Sequence, residues 1–128
     1  MNDPHIVDQN QIPEYEAPSP YTRFARALVD PALIKDAPMS IGLFRYKPGQ
    51  IGPAHKHDTE TEVYYVLEGR GTVSLDGQTV ELRKGVVVYI RPGVEHETKN
   101  TGDDEMMFLG IFAPALDFTA IKKQWKSV

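Results

Sequence analysis

Residues 49–69 read GQIGPAHKHDTETEVYYVLEG, and residues 85–100 read GVVVYIRPGVEHETKN. The first stretch places His55 and His57 one residue apart, after bend-forming Gly49, Gly52 and Pro53 and ahead of the β-type run EVYYVLEG. On a strand that spacing turns both imidazoles to one face. Glu62 follows a short acidic loop, and the next strand carries it back beside the histidines. His96 is distant in sequence and follows the turn at Pro92-Gly93, so it has to arrive from a different strand. Three imidazoles and a carboxylate from separate strands meet naturally inside a barrel, and together they are ligands for a divalent ion. Glu60 offers a second carboxylate two residues from Glu62.

Outward from this stretch the chain is a series of short β-type runs. Residues 39–47 alternate, with Met39, Ile41 and Leu43 on one face and Phe44 and Tyr46 on the other. Pro48-Gly49 ends that run. Residues 63–69, 72–75 and 79–83 follow, the last two joined by Asp76-Gly77, a tight-hairpin signal because the turn demands positive φ. Residues 86–90 are continuously apolar, which predicts a strand buried on both faces. Residues 96–100 and 106–112 add two strands split by a turn at 101–104, and residues 21–29 a further one. Ten glycines and ten prolines in 128 residues fit so many turns and predict an all-β sandwich or barrel.

Only the C-terminus reads as helical. Phe118, Ile121 and Trp125 share a face, Asp117 or Thr119 can cap it, and Lys122, Lys123 and Lys126 suit its C-terminal end. Residues 1–20 hold four prolines and few apolar side chains. They read as an extended N-terminal arm, containing a solvated His5, ahead of a barrel domain at 21–128.

Eighteen acidic against 14 basic residues give a net charge of −4, which argues against nucleic acid or an anionic membrane as partner. With no cysteine, disulfides and thiolate chemistry are excluded. The N-terminus lacks a basic start and apolar core, and no apolar run approaches the ~20 residues of a membrane span. The expected location is cytoplasmic.

The two quoted stretches resemble the paired motifs of the cupin family. The first has glycine, five residues, His-x-His, a short gap, glutamate, six residues and glycine, filled here by Gly49, His55, His57, Glu62 and Gly69. The second has glycine, five residues, proline, one residue, glycine, two residues, histidine, three residues and asparagine. Gly85, Gly93, His96 and Asn100 match it. Arg91 stands where the family has proline, with Pro92 next to it, and reads as an exposed residue making a salt link. The resemblance implies a double-stranded β-helix, or jelly-roll barrel. It also implies Glu62 rather than Glu60 in a ligand set of His55, His57, Glu62 and His96, and a homodimer in which the N-terminal segment pairs with a neighbour's sheet.

Three neutral histidines and one carboxylate suit a single iron, manganese, nickel, cobalt, copper or zinc ion, and not calcium or magnesium. Tyr64 and Val66 share the Glu62 face. Phe44 or Tyr46, Met106 or Met107, Phe108 and Phe112 are candidates for the pocket around it. Tyr64 is the candidate acid or base, and Arg23, Arg45 or Lys47 the candidate partner of a substrate carboxylate. The resemblance implies a metal-dependent dioxygenase, lyase, decarboxylase or isomerase acting on a small hydroxy or keto compound. The alternative is a metal-loaded module that binds or senses a small molecule without turnover.

Overall fold

The computed structural model describes residues 5–128. Eleven strands, one 3-10 turn and one short helix follow in order. They are β1 (Tyr15–Glu16), β2 (Phe24–Val29), β3 (Ser40–Tyr46), β4 (Ile51–His55), β5 (Thr61–Glu68), β6 (Arg70–Leu75), β7 (Gln78–Arg83), β8 (Val87–Ile90), β9 (His96–Asn100), β10 (Met106–Ala113), α1 (Thr119–Gln124) and β11 (Lys126–Ser127). A seven-stranded sheet has the order β11-β1-β2-β3-β10-β5-β8, and a four-stranded sheet has the order β4-β9-β6-β7. All pairings are antiparallel. The two sheets make the expected double-stranded β-helix, an all-β fold with one short C-terminal helix.

Alternation of side chains builds the interior. Glu62, Tyr64 and Val66 of β5 are buried, as are Met106, Phe108 and Phe112 of β10 and His96, Thr98 and Asn100 of β9. Their intervening neighbours point away, as a period of two requires. Val66, Val73, Leu82, Val88, Ile90, Met106 and Phe108 form the apolar core with Tyr46 and Tyr64. The β6–β7 hairpin turns through Asp76 at φ 48° and Gly77 at φ 88°, the two positive values that a primed turn needs.

Two expectations change in the structure. Residues 86–90 do not give a strand buried on both faces. Only Val88 and Ile90 face the core, while Val87 and Tyr89 are 60% and 58% exposed on the outer face of the sheet, as is Tyr65 of the neighbouring β5. An apolar run marks burial but does not reveal which sheet face another layer covers, and here one face is left without one. Arg91 makes no salt link among the described residues. Its guanidinium lies 5.4 Å over the Tyr89 ring, an attraction to the ring face that needs no carboxylate.

The N-terminal segment is bound to the barrel within its own chain. β1 pairs with β2 and with β11. Arg26 Nη1 donates to the carbonyls of Gln9 and Ile12 at 3.0 and 2.8 Å. Arg45, on the outer face of β3, takes both Glu14 oxygens at 3.1 and 2.8 Å. Among the described residues no helix is long and apolar enough to cross a membrane.

Asn100, the last residue of the second motif, is a structural clamp. Its Nδ2 donates to the carbonyls of Tyr46 and Asp104, both at 2.9 Å, and its Oδ1 accepts from Gly102 N at 2.9 Å. These bonds tie β3 and the β9–β10 turn together at a residue that is 1% exposed. Asn100→Ala strands buried backbone groups, so denaturant titration should show a loss on the order of 2–3 kcal/mol with metal affinity unchanged.

Candidate metal centre

The four sequence-predicted ligands meet in space. One potential ligand atom from each of His55, His57, Glu62 and His96 lies within 4.8 Å of every other. Register explains the meeting: His55 on β4 pairs directly with His96 on β9, which brings their ring centroids to 4.2 Å. Glu62 lies between Phe112 of β10 and Ile90 of β8 and faces the histidines across the barrel. His57 has left β4 and stands in the loop after it, where its carbonyl accepts from Gly93 N at 2.8 Å. Thus the glycine turn of the second motif holds the loop that presents His57. Glu60 is not part of the cluster; its Oε2 accepts from Thr59 Oγ1 at 2.8 Å.

Hydrogen bonds behind the ligands fix which ring nitrogen faces inward. His55 Nδ1 lies 2.8 Å from the Pro53 carbonyl and His96 Nδ1 lies 3.0 Å from the Val94 carbonyl. A carbonyl only accepts, so each Nδ1 carries hydrogen and each Nε2 is left to act as a ligand. His96 Nε2 is 3.1 Å and His57 Nε2 is 3.3 Å from the same Glu62 oxygen. His57 Nε2 is buried without a hydrogen bond of proper geometry, and a buried polar atom of this kind calls for a partner.

The electrostatics point the same way. Burial pushes the Glu62 carboxyl up, but the His57 and His96 rings facing one of its oxygens outweigh it and hold the group below its ordinary range. Desolvation lowers His96, yet Glu62 and the Val94 carbonyl leave it raised overall. His55, desolvated and beside two other imidazoles, is lowered. An ionised carboxylate aimed at imidazole nitrogens wants a cation between them, whether a proton on His96 or a metal ion. The donor set and the orphaned His57 nitrogen therefore fit a divalent transition metal, with all four side chains as its holders.

Next to the ligands is a cavity of ≈220 Å3 lined by Phe44, Tyr46, Tyr64, Phe108, Phe112 and, from the C-terminal segment, Leu116, Phe118, Ile121 and Trp125, with Arg23 as well. Phe44, Tyr46, Tyr64, Phe108 and Phe112 are there as expected. Met106 lies instead against Gly71 in the core, where a Cβ on that glycine would meet its sulfur. Tyr64 Oη is 2.7 Å from Thr98 Oγ1, and burial followed by the Glu62 charge raises its pKa well above the ordinary value. Burial likewise pushes Tyr46 up to about 12. Both phenols stay protonated at neutral pH.

Sequence reasoning missed three features of this cavity. Gly42 and Gly110, cross-strand partners on β3 and β10, leave space for the Phe44 ring. A Cβ on Gly110 would also come 3.0 Å from Glu62 Oε2. Thr98, two residues beyond His96 and hence on the same face, was legible from strand parity alone. The α1 wall was legible only as an apolar helix face, with nothing to say what it covers.

Residues 42–112 match the cupin domain family. The chain belongs to the cupin family. Over 121 residues the cupin is 34% identical to dimethylsulfoniopropionate lyase DddW of Ruegeria pomeroyi, covering 93% of this chain and 78% of the lyase. It is 36% identical over 64 residues to an oxalate-binding protein of Thermotoga maritima, covering 50% of this chain and 53% of that protein. Among solved structures, one described as a predicted oxalate decarboxylase from Thermotoga maritima superposes with a TM-score of 0.76 at 25% identity, covering 85% of this cupin and 98% of that chain.

His96→Ala should abolish stoichiometric metal uptake while circular dichroism still reports a folded barrel; unchanged metal content would remove His96 from the ligand set. In the wild type the ion has to displace the proton that Glu62 helps His96 retain. Apparent affinity should then fall about tenfold per pH unit, for each proton displaced, once pH drops below the raised His96 pKa.

Proposed function

We propose that this cupin is an enzyme dependent on one divalent transition metal, held by His55, His57, Glu62 and His96. Its substrate would be a small hydroxy or keto compound, and its chemistry proton transfer of the lyase, decarboxylase or isomerase kind in preference to dioxygenation. The observation that carries the reading is the cluster of four candidate ligand atoms at the wall of an aromatic cavity, in which His57 Nε2 is buried and faces Glu62 Oε1 at 3.3 Å without a well-formed hydrogen bond. When bound, the ion supplies Lewis acidity toward a substrate oxygen.

The chain's own residues supply the rest. The Pro53 and Val94 carbonyls keep His55 and His96 in the ligating tautomer. Phe44, Phe108, Phe112 and Phe118 exclude water, which strengthens every charge interaction inside. Tyr64 Oη, kept protonated and anchored to Thr98 Oγ1, suits a proton donor to a developing oxyanion or carbanion better than a base. Tyr46 is a second protonated phenol on the same wall. Two acids beside a buried carboxylate favour proton transfer over electron transfer as the step the site is built for. The likeness to a lyase over most of the chain supports this choice. The second reading, binding without turnover, is favoured by the likeness to an oxalate-binding protein.

Elemental analysis of untagged protein should give one transition-metal ion per chain. Tyr64→Phe should keep that ion and lower turnover about a hundredfold or more. A wild type that binds metal and ligand yet converts none of a panel of hydroxy and keto acids would favour the binding module.

We also propose a homodimer that buries the outer face beside the β8 edge. Tyr65, Val87 and Tyr89 are 43%, 60% and 58% exposed there, beside strand groups with no neighbour in the sheet order. Apolar side chains next to an open edge invite a second copy. Sedimentation at micromolar concentration should give twice the chain mass, and Tyr89→Lys should shift it toward monomer. A wild-type monomer would remove the proposal.

A further inference from the structure

Three cations compete for the role of substrate anchor, and the structure separates them. Arg45 is spent on Glu14 and Glu105 on the outer face. Lys47 lies 5.3 Å over the Phe24 ring and does not line the cavity. Arg23, which precedes β2, does line it, and no other lysine or arginine among the described residues does.

Arg23 is held on three sides. Its Nη1 donates to the Tyr21 carbonyl at 2.8 Å. Its Cζ lies 4.7 Å over the Trp125 ring. Its Nε borders Gly52, where an added Cβ would come within 3.2 Å of it and would collide with the Tyr46 hydroxyl. Gly52 thus leaves room for the guanidinium and the phenol side by side. No carboxylate among the described residues lies within ion-pair range of Arg23. A guanidinium has five N–H donors in a planar fork; one goes to the Tyr21 carbonyl and the Tyr46 hydroxyl engages another side of the group, which leaves donors for a ligand. A positioned cation without a counter-charge, in an aromatic cavity, is a site for an anion.

From this arrangement we infer that Arg23, backed by Trp125 and flanked by the Tyr46 hydroxyl, binds the carboxylate of a small monoanionic acid whose other end reaches the His55–His57–Glu62–His96 cluster. The inference rests on the reading of this cavity as a substrate site. One guanidinium matches one carboxylate in charge and in fork geometry. Apart from Tyr64 and the candidate metal ligands, the remaining lining is Phe44, Phe108, Phe112, Leu116, Phe118 and Ile121, which offers no second lysine or arginine. The ≈220 Å3 cavity is smaller than the roughly 300–1,000 Å3 usual for drug-sized ligands, so the acid is a short one.

Trp125 is the only tryptophan of the chain and touches the anchor, so its fluorescence reports on the proposed subsite. The test titrates 3-hydroxypropionate, its neutral amide 3-hydroxypropanamide, and inorganic phosphate into zinc-loaded and metal-free protein. Arg23→Gln and Arg23→Lys are titrated in parallel, with melting temperature and zinc content measured for each. The expected result is a saturable emission change with the carboxylate in both forms of the wild type, tighter with zinc, and at least tenfold weaker binding of the amide. Arg23→Gln should weaken carboxylate binding about tenfold to a hundredfold and leave the amide and the zinc content as they were. Arg23→Lys, which keeps the charge but not the fork, should fall between. Equal binding of acid and amide, wild-type acid affinity in both Arg23 variants, or preference for phosphate would each overturn the inference. Failure of the wild type to take up zinc would count against the metal reading alone, because the carboxylate-selective response of the metal-free protein would remain.

Discussion

An ionised carboxylate is hard to keep inside a barrel of phenylalanines, and the site is organised around Glu62 for that reason. The residue is 3% exposed, and stripping it of water without replacement would force it to take up a proton. His57 and His96 supply the replacement through one of its oxygens. They can do so only because carbonyls behind His55 and His96 orient the rings, and because the turn at Gly93 grips the His57 loop. Gly110 leaves room for the other Glu62 oxygen, which a Cβ there would crowd at 3.0 Å. Within this set His57 Nε2 is the atom held most loosely: it faces the Glu62 oxygen at 3.3 Å without a well-formed hydrogen bond.

The rest of the barrel serves to hold that set rigid. The apolar core lies toward the other end of the strands that carry the ligands, and Asn100 locks that end with three hydrogen bonds. The C-terminal wall is fastened separately. Lys122 of α1 pairs with fully buried Asp30 at 3.1 Å, Leu116 N donates to Ser40 Oγ at 2.8 Å, and β11 adds to β1 at the sheet edge. A helix of six residues has little stability of its own, so these attachments decide where Phe118, Ile121 and Trp125 stand.

Much of this was legible because it is written in short-range spacing. Asp76-Gly77 names its turn, and the paired motifs locate His55, His57, Glu62 and His96 together, although His57 reaches the cluster from the loop after β4 and not by strand parity. What could not be read depends on which strand neighbours which. Residues 86–90 are as apolar as a strand buried on both faces, yet one face stays open because nothing local encodes which sheet face another layer covers. The choice among Arg23, Arg45 and Lys47 was half legible. Once Phe44 and Tyr46 face inward, Arg45 between them has to face out. Arg23 precedes its strand, so no periodicity assigns it a side, and only the folded position of Trp125, about a hundred residues away in sequence, shows what it meets.

The family match ends at residue 112 and begins at residue 42, and every ligand of the candidate metal centre lies within it. Arg23 and the wall formed by Leu116, Phe118, Ile121 and Trp125 lie outside it, at both ends of the chain. The candidate metal ligands and much of the cavity wall beside them are therefore carried by separate stretches of polypeptide that meet only in the folded molecule. Exchanging the two terminal segments for others of similar length would give the same coordinating barrel a different chamber. A scaffold divided in this way can change the shape of its cavity by changes at its ends alone.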